Sequence, residues 1–397
     1  MGLKQQIQEK ANVLKAKLIE IRHHIHSNPE LSFQEFETQK FIENYLQNEL
    51  GLQTKRLANT GVVALIEGKN PTKRVIGLRA DMDALPILEA NDGRSYRSKV
   101  DGVMHACGHD VHATCLLGAA TILNEFKHDF EGTIKLIFQP GEEKLPGGAS
   151  IMIQEGVLEN PKVDFMIGQH VMPFVKIGNV GFRQGLYMAS ADEIFVTVKG
   201  KGGHGAMPHL GTDPVTIASQ MIVGLQQIVS RNANPIIPSV LTFGKVIANG
   251  STNVIPNEVY LEGTFRTLDE KWRAEAHEKM IKAAHGIVEG LGGTVDFEIR
   301  KGYPFLKNDV ILTQKCESFA KNYLGDQHVE ALDIWMAAED FSYYSQEVPS
   351  CFYRLGTRNE EKGTTFGVHH PNFDIDEDAI QNGAGLMAYL AMECLSE

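Results

Sequence analysis

Residues 133–143 read TIKLIFQPGEE: a short apolar run stops at Pro-Gly and is followed at once by two adjacent carboxylates. Such a run is too short for an ordinary helix, and Ile134, Ile137 and Phe138 favour an extended chain, so the segment predicts a buried strand that runs into the two carboxylates. Two other stretches follow the same pattern. VIGLRADMD at 75–83 passes from apolar into charged residues, and VDFMIGQHV at 163–171 brings His170 to what reads as a strand end. The helical HATCLLGAATILNEF lies at 112–126. This alternation predicts an α/β fold with a mixed, largely parallel sheet flanked by helices. In such sheets ligands collect beyond the carboxyl ends of the strands, and the polar residues follow the strands here.

From about residue 190 the rhythm changes. DEIFVTVKG (192–200) alternates as a strand, and DPVTIASQMIVGLQQIVSR (213–231) is a helix opened by Asp213 and Pro214. SVLTFGKVIA (239–248) and EVYLEGTFRTL (258–268) are strands, EKWRAEAHEKMIKAAHGIVEGL (270–291) is a helix and GTVDFEIR (293–300) a last strand. The order β-α-β-β-α-β is that of a ferredoxin-like unit. The expected organisation is a first catalytic part at 1–186, an inserted α+β domain at 187–302, and a returning part at 303–397 that closes with the helix DAIQNGAGLMAYLAMECL.

A chain of 397 residues exceeds one ordinary core. Its formal net charge of −12 argues against nucleic acid and against an anionic membrane surface, both of which need clustered Lys and Arg. No stretch approaches the ~20 apolar residues that cross a bilayer, and the first 26 residues predict an amphipathic helix with Leu14, Leu18 and Ile21 on one face, not a leader. The five cysteines are odd in number and irregularly spaced, which points away from a disulfide framework and towards a reducing, cytoplasmic setting.

One stretch concentrates metal-ligand chemistry. MHACGHDVH (104–112) places Cys107 and His109 two apart, a spacing that suits a turn or helix start, and thiolate with imidazole suits zinc or a neighbouring divalent metal. Either residue alone would equally suit a core or capping position. Glu142 and Glu143 on an extended chain would point opposite ways, leaving one to hold a metal and the other to act as base. A solvated turn is the plain alternative for GEEK. His170 and the pair His369 and His370 in FGVHHPNFD (366–374) complete the candidates, which exceed one tetrahedral shell and so suggest two ions.

HACGHD, QPGEE, GQHV, GKGGHGAMPH, NVIPNE and VHHPNFD, in that order, resemble the amidohydrolase branch of the dinuclear metallopeptidases, which includes hippurate hydrolases, N-acyl-amino-acid deacetylases and auxin-conjugate hydrolases. HSNPELSFQEFET and RADMDALP match as well, so the resemblance spans nearly the whole chain. It implies a zinc-exopeptidase-like catalytic domain with an inserted lid and dimerisation domain, and hence a homodimer. It implies that Cys107, His109, Glu143, His170 and His369 bind two divalent ions, that Glu142 is the general base and that His204 stabilises the oxyanion. Zinc or manganese is expected, and cobalt or nickel suits the same donors.

Asp83 is expected to hydrogen-bond a metal ligand, while Asp81 is silent in the chemistry. His112 and His370 are expected to support the site without binding metal. In MAAEDFSYY, Ala337 and Ala338 stand where the family usually has Gly-Ser, and Glu339 and Asp340 are expected to shape the site. Asn253 in STNVIPNE could donate to a substrate carbonyl, and Arg266 in GTFRTLD could form a bidentate pair with an α-carboxylate. The expected reaction is hydrolysis of an N-acyl amino acid, a small-molecule substrate. The alternatives are a carboxypeptidase or dipeptidase, an N-acetyl-diaminopimelate deacetylase, and a metal-dependent binding protein without catalysis.

Overall fold

The computed structural model describes residues 2–90 and 93–396. It divides into two compact units, Met1–Tyr187 with Lys307–Ile334 and Asp340–Glu397, and Met188–Leu306 with Trp335–Glu339. The stretch Trp335–Glu339, which the sequence places in the returning part 303–397, groups with the second unit.

The first unit is built on an eight-stranded sheet. Its early strands are β1 (Thr54–Leu57), β2 (Gly61–Glu67), β3 (Val75–Asp81), β4 (Thr133–Gln139), β5 (Phe165–Lys176) and β6 (Val180–Phe182). The spatial order is β1, β2, β4, β3, β5, Ser350–Arg358, β6 and Val329–Ala331. The central pairings β4–β3, β3–β5 and β5 with Ser350–Arg358 are parallel, while β1–β2 and β2–β4 are antiparallel. The sheet is thus mixed with a parallel centre, as expected. Every residue of β3 and β4 is buried, the mark of strands covered on both faces.

Helix α1 (Leu3–Ser27) buries Leu14, Leu18 and Ile21 together with Ile7 and Ile25. It shares its core with α3 (His109–Glu125) and the C-terminal helix Asp378–Ser396, whereas α2 (Phe36–Asn44) and α4 (Gly148–Gln154) are shorter. A Cβ on Gly118 would meet Ala384 and Leu18 at 2.8–2.9 Å, so the three helices meet too closely there for any side chain. Each fully buried leucine, such as Leu18, contributes about 1.5–3 kcal/mol. No helix among the described residues is long and apolar enough to cross a membrane.

The second unit carries a four-stranded antiparallel sheet in the order Ser239–Ile247, Glu258–Thr267, Asp192–Lys199, Thr294–Lys301. That order, with the helices Pro214–Gln227 and Glu270–Gly290, is ferredoxin-like. Asp213 and Asp269 cap these helices by accepting backbone N–H bonds. Alternate residues Ile194, Val196 and Val198 face Ile217, Met221 and Leu225 in one apolar core.

Candidate metal centre

The residues of the first unit converge beyond the ends of β3 and β4 and at the start of α3. Gly108 precedes α3 with φ +83°, and a Cβ there would lie 2.6 Å from Val171 Cγ2. Only glycine fits this left-handed, crowded position. The turn it makes leaves Cys107 just before the helix and His109 as its first residue. His170 lies within β5, beside Arg354 of the parallel strand, and not at a strand end as the sequence suggested; β5 continues to Lys176 beyond its pairing with β3.

Hydrogen bonds assign the imidazole tautomers. His170 Nδ1 donates to the Val171 carbonyl at 2.8 Å, which leaves the Nε2 lone pair facing Cys107 Sγ at 3.5 Å. His109 Nδ1 donates to Asp83 Oδ1 at 3.2 Å, and its Nε2 is buried with no hydrogen-bond partner. That Nε2 lies 4.0 Å from Glu143 Oε1. His112 is different: Nδ1 bonds Asp81 at 2.5 Å and Nε2 accepts the Val171 N–H at 2.9 Å, so neither nitrogen is left for a metal. His370 is exposed, stacks on Phe366 and accepts the Asn372 N–H on Nδ1 at 3.0 Å.

Glu142 and Glu143 do not continue the strand, contrary to the extended pair read from the sequence. They sit in a turn after β4, and Asp83 holds both, accepting the Glu142 N–H on one carboxylate oxygen and the Glu143 N–H on the other, each at 3.0 Å. The side chains still diverge. Glu143 Oε1 is 3.2 Å from His369 Nε2, while Glu142 Oε1 lies 3.4 Å from the Asp340 N–H. His369 adopts φ +64° and donates its N–H to the Ala106 carbonyl at 2.7 Å, which ties the C-terminal loop to the Cys107 segment.

Donor atoms of Cys107, His109 and His170 lie within 4.8 Å of one another, as do those of Cys107, Glu143 and His369, and those of His109, Glu142 and Glu143. The electrostatics of the group favour a cation. Burial, then Glu143 and Glu142, push the Cys107 thiol well above its usual range. His109 is raised to about 10: burial lowers it, but Asp81, Asp83 and Glu143 outweigh that. Burial, then His112 and Arg354, hold His170 well below the usual imidazole range. An orphaned buried Nε2 among acids and a thiol is expensive in isolation and suits a divalent cation.

The second unit holds His204, Asn253 and Arg266. His204 ends the short strand Gly203–His204, which pairs antiparallel with Val254–Ile255. Gly205 N–H donates to the Asn253 carbonyl at 2.8 Å, so His204 and Asn253 are neighbours, both exposed. Ala206 N–H donates to His204 Nδ1 at 3.0 Å, which puts the ring proton on Nε2. Arg266 stands on the four-stranded sheet, half-buried, with Nε donating to Thr264 Oγ1 at 3.2 Å.

A model of peptidase family M20/M25/M40 matches residues 77–393. This chain belongs to that family. The N-acetylcysteine deacetylase of Bacillus subtilis (strain 168) is 39% identical over 378 residues, covering 95% of this chain and 96% of the relative. The thermostable carboxypeptidase 2 of Saccharolobus solfataricus is 36% identical over 397 residues, covering 99% of each chain. Among solved structures, the YXEP protein of Bacillus subtilis, a dinuclear metal-binding peptidase from the M20 family, has a TM-score of 0.81 at 34% identity, covering 97% of this chain and 99% of that one.

In this M20 chain the structure also exposes supports that sequence reasoning missed. Arg79, fully buried, donates to Asp81 Oδ2 at 2.5 Å, Asp340 Oδ1 at 2.7 Å and Gln139 Oε1 at 2.9 Å. Asp81 is thereby a structural anion bridging Arg79 and His112, and Asp340 accepts from Arg79 and Gln139; Glu339 is buried as well. Arg22, on the buried side of α1, donates to Asp110 at 2.9 Å and Asp374 at 2.5 Å, tying the His109 helix start to the loop after His369. The available signal was a charged residue directly after Ile21 on an apolar face.

Proposed function

We propose that this M20 family member is a dinuclear metal-dependent amidohydrolase that cleaves N-acyl amino acids to a carboxylate and a free amino acid. The observation that carries this reading is the buried His109 Nε2, which has no hydrogen bond, lies 3.8 Å from Asp81 Oδ2 and 4.0 Å from Glu143 Oε1, and is grouped with Cys107 and His170, with Glu142 alongside. Cys107, His109, Glu143, His170 and His369 would hold two divalent ions, zinc or manganese, with cobalt and nickel suited to the same donors. When bound, such ions polarise the scissile carbonyl and make water acidic enough to attack it.

The chain's own groups do the rest. Glu142 takes the proton of the attacking water and returns it to the leaving nitrogen. Asp83 fixes the His109 tautomer and anchors the turn that carries both glutamates. His204 donates from Nε2–H to the developing oxyanion, Asn253 donates to the substrate carbonyl, and Arg266 pairs with the α-carboxylate. The 187–302 segment acts as a lid. Five buried, unpaired thiols support a reducing, cytoplasmic setting.

The test is a substrate panel on protein of defined metal content. N-acetyl and benzoyl amino acids are expected to turn over well and dipeptides poorly, with activity lost to a chelator and recovered on adding the divalent ion. Cys107→Ser is expected to reduce bound metal, and metal uptake by the parent protein should release protons because the buried thiol must ionise. Preferential cleavage of dipeptides would favour the carboxypeptidase reading, which the Saccharolobus relative keeps open, and preference for N-acetyl-diaminopimelate would favour the lysine-pathway reading.

The same unit supports a homodimer. The strand Ser239–Ile247 is a sheet edge that exposes Val240, Val246 and Ile247, and elsewhere in the unit Val223 on the helix Pro214–Gln227 and Ile236 are 71% and 83% exposed. An unpaired edge strand with exposed apolar side chains is a pairing surface. Sedimentation is expected to give about twice the 43.9 kDa chain mass, and Val223→Asp with Val246→Lys to shift it to the monomer. A monomeric parent protein would remove this assignment.

A further inference from the structure

The segment NPELSFQEFET, residues 28–38, enters none of the steps above, yet it grips the catalytic turn at two points. Ser32 Oγ donates to Asp83 Oδ2 at 2.6 Å, the same carboxylate that accepts the Glu142 and Glu143 N–H groups. Glu35, fully buried, accepts the Gly141 N–H on Oε1 at 2.9 Å. Three successive amides, 141 to 143, are therefore anchored by two carboxylates, Glu35 and Asp83.

The rest of the segment is braced to serve this grip. Glu35 Oε1 also accepts the Phe33 N–H at 2.9 Å, and Oε2 accepts Thr60 Oγ1 at 2.6 Å. Phe33 is held at φ +65°, a conformation that costs a non-glycine residue energy. Its ring lies over Gly141, where a Cβ would come within 2.5 Å, and Gly141 itself has φ +60°. Leu31 bridges Ala84 in parallel register, and the Glu30 carbonyl accepts the Ala84 N–H at 2.8 Å, so the segment also fixes the chain just after Asp83. Burial, then the Asp83 charge, push Glu35 up to about 7. A carboxylate kept where its own ionisation is opposed is retained for its hydrogen bonds and not for solubility.

We infer that Glu35, assisted by Ser32, is a positioning residue that sets the direction of the Glu142 carboxylate through the Gly141–Glu143 turn. This rests on the reading of Glu142 as general base. Holding a base within a fraction of an ångström matters because small misplacements of reacting groups are costly in rate. Glu35 touches neither substrate nor metal in this scheme, so its removal should act on kcat and leave KM and bound metal in place.

The experiment compares Glu35→Ala, Glu35→Gln and Ser32→Ala, each alone and in a Glu142→Gln background, by kinetics, metal analysis and hydrogen exchange of the peptide spanning 139–145. Glu35→Ala is expected to lower kcat by about 10- to 100-fold with KM changed by less than about threefold, metal retained and exchange of the 141–143 amides increased. Glu35→Gln keeps an oxygen acceptor for Gly141 and should restore most of the rate, and Ser32→Ala should act in the same direction more weakly. In the Glu142→Gln background Glu35→Ala should cost no further rate. An equal loss in both backgrounds, loss of metal, or unchanged exchange at 141–143 would overturn the positioning role. Full activity in Glu142→Gln alone would instead remove the general-base reading, while the exchange data would still decide whether Glu35 holds the turn. Should Glu35→Ala fail to fold, Ser32→Ala in the two backgrounds carries the comparison, and a loss in kcat there without increased exchange at 141–143 would overturn the positioning role.

Discussion

Glu142→Gln is expected to bind metal as the parent protein does and to lose about 10²–10⁴-fold in kcat, the usual contribution of a positioned general base. The substitution is nearly isosteric, and the Glu142 backbone is held by Asp83 and not by its own side chain, so the turn should survive. What disappears is the ability to accept a proton, because an amide is not a base at neutral pH. Glu143→Gln should behave in the opposite way. Its Oε1 lies 3.2 Å from His369 Nε2 and belongs with Cys107 and His369 in one donor group, so replacing a carboxylate oxygen there should lower metal content before it alters chemistry. Elemental analysis and kcat on both variants decide the matter. Metal loss from the first variant with retention in the second would exchange the two roles.

Arg79→Met is expected to destabilise the protein by about 3–5 kcal/mol, the cost of breaking a buried ion pair from one side. Arg79, Asp81 and Asp340 are all fully buried. Burial alone would raise the Asp81 carboxyl, yet Arg79, followed by His109 and His112, holds it well below the usual carboxylate range. Without the guanidinium, two buried carboxylates face each other across an apolar side chain, and Gln139 loses the donor to its Oε1. Arg79→Lys should recover only part of the loss, since one ammonium cannot reproduce three directed N–H bonds to three partners. Urea unfolding of metal-free protein gives the measurement. A loss below about 1 kcal/mol would mean that the carboxylates find other partners or protonate without strain.

The motifs made the candidate ligands legible because ligand chemistry is a property of residue type: the thiolate of Cys107, the imidazoles of His109, His170 and His369 and the carboxylate of Glu143 are metal donors wherever they stand. The structure brings all five together around Asp83 and Glu142. Local spacing misled where the backbone departs from a regular path. Glu142 and Glu143 read as an extended pair, but Gly141 at φ +60° turns the chain, and their divergence comes from that turn and from Asp83. His170 reads as a strand end because the apolar run VDFMIG gives way to polar Gln169 and His170, whereas β5 runs on to Lys176.

By itself the sequence determined the alternation of strands and helices, the ferredoxin-like order of the second unit and the chemical character of the site, since each follows from short-range periodicity or residue type. Only the tertiary structure decided that Nε2 is the free nitrogen of His109 and of His170, that His112 is consumed by Asp81 and Val171, and that Arg79, Glu35 and Ser32 brace the residues around them. The physical reason is the distance along the chain over which those hydrogen bonds close: Glu35 meets Gly141 across 106 positions and Arg79 meets Asp340 across 261. Periodicity reports how a segment faces its own neighbours, whereas a buried polar side chain is specified by a partner that folding alone brings within reach.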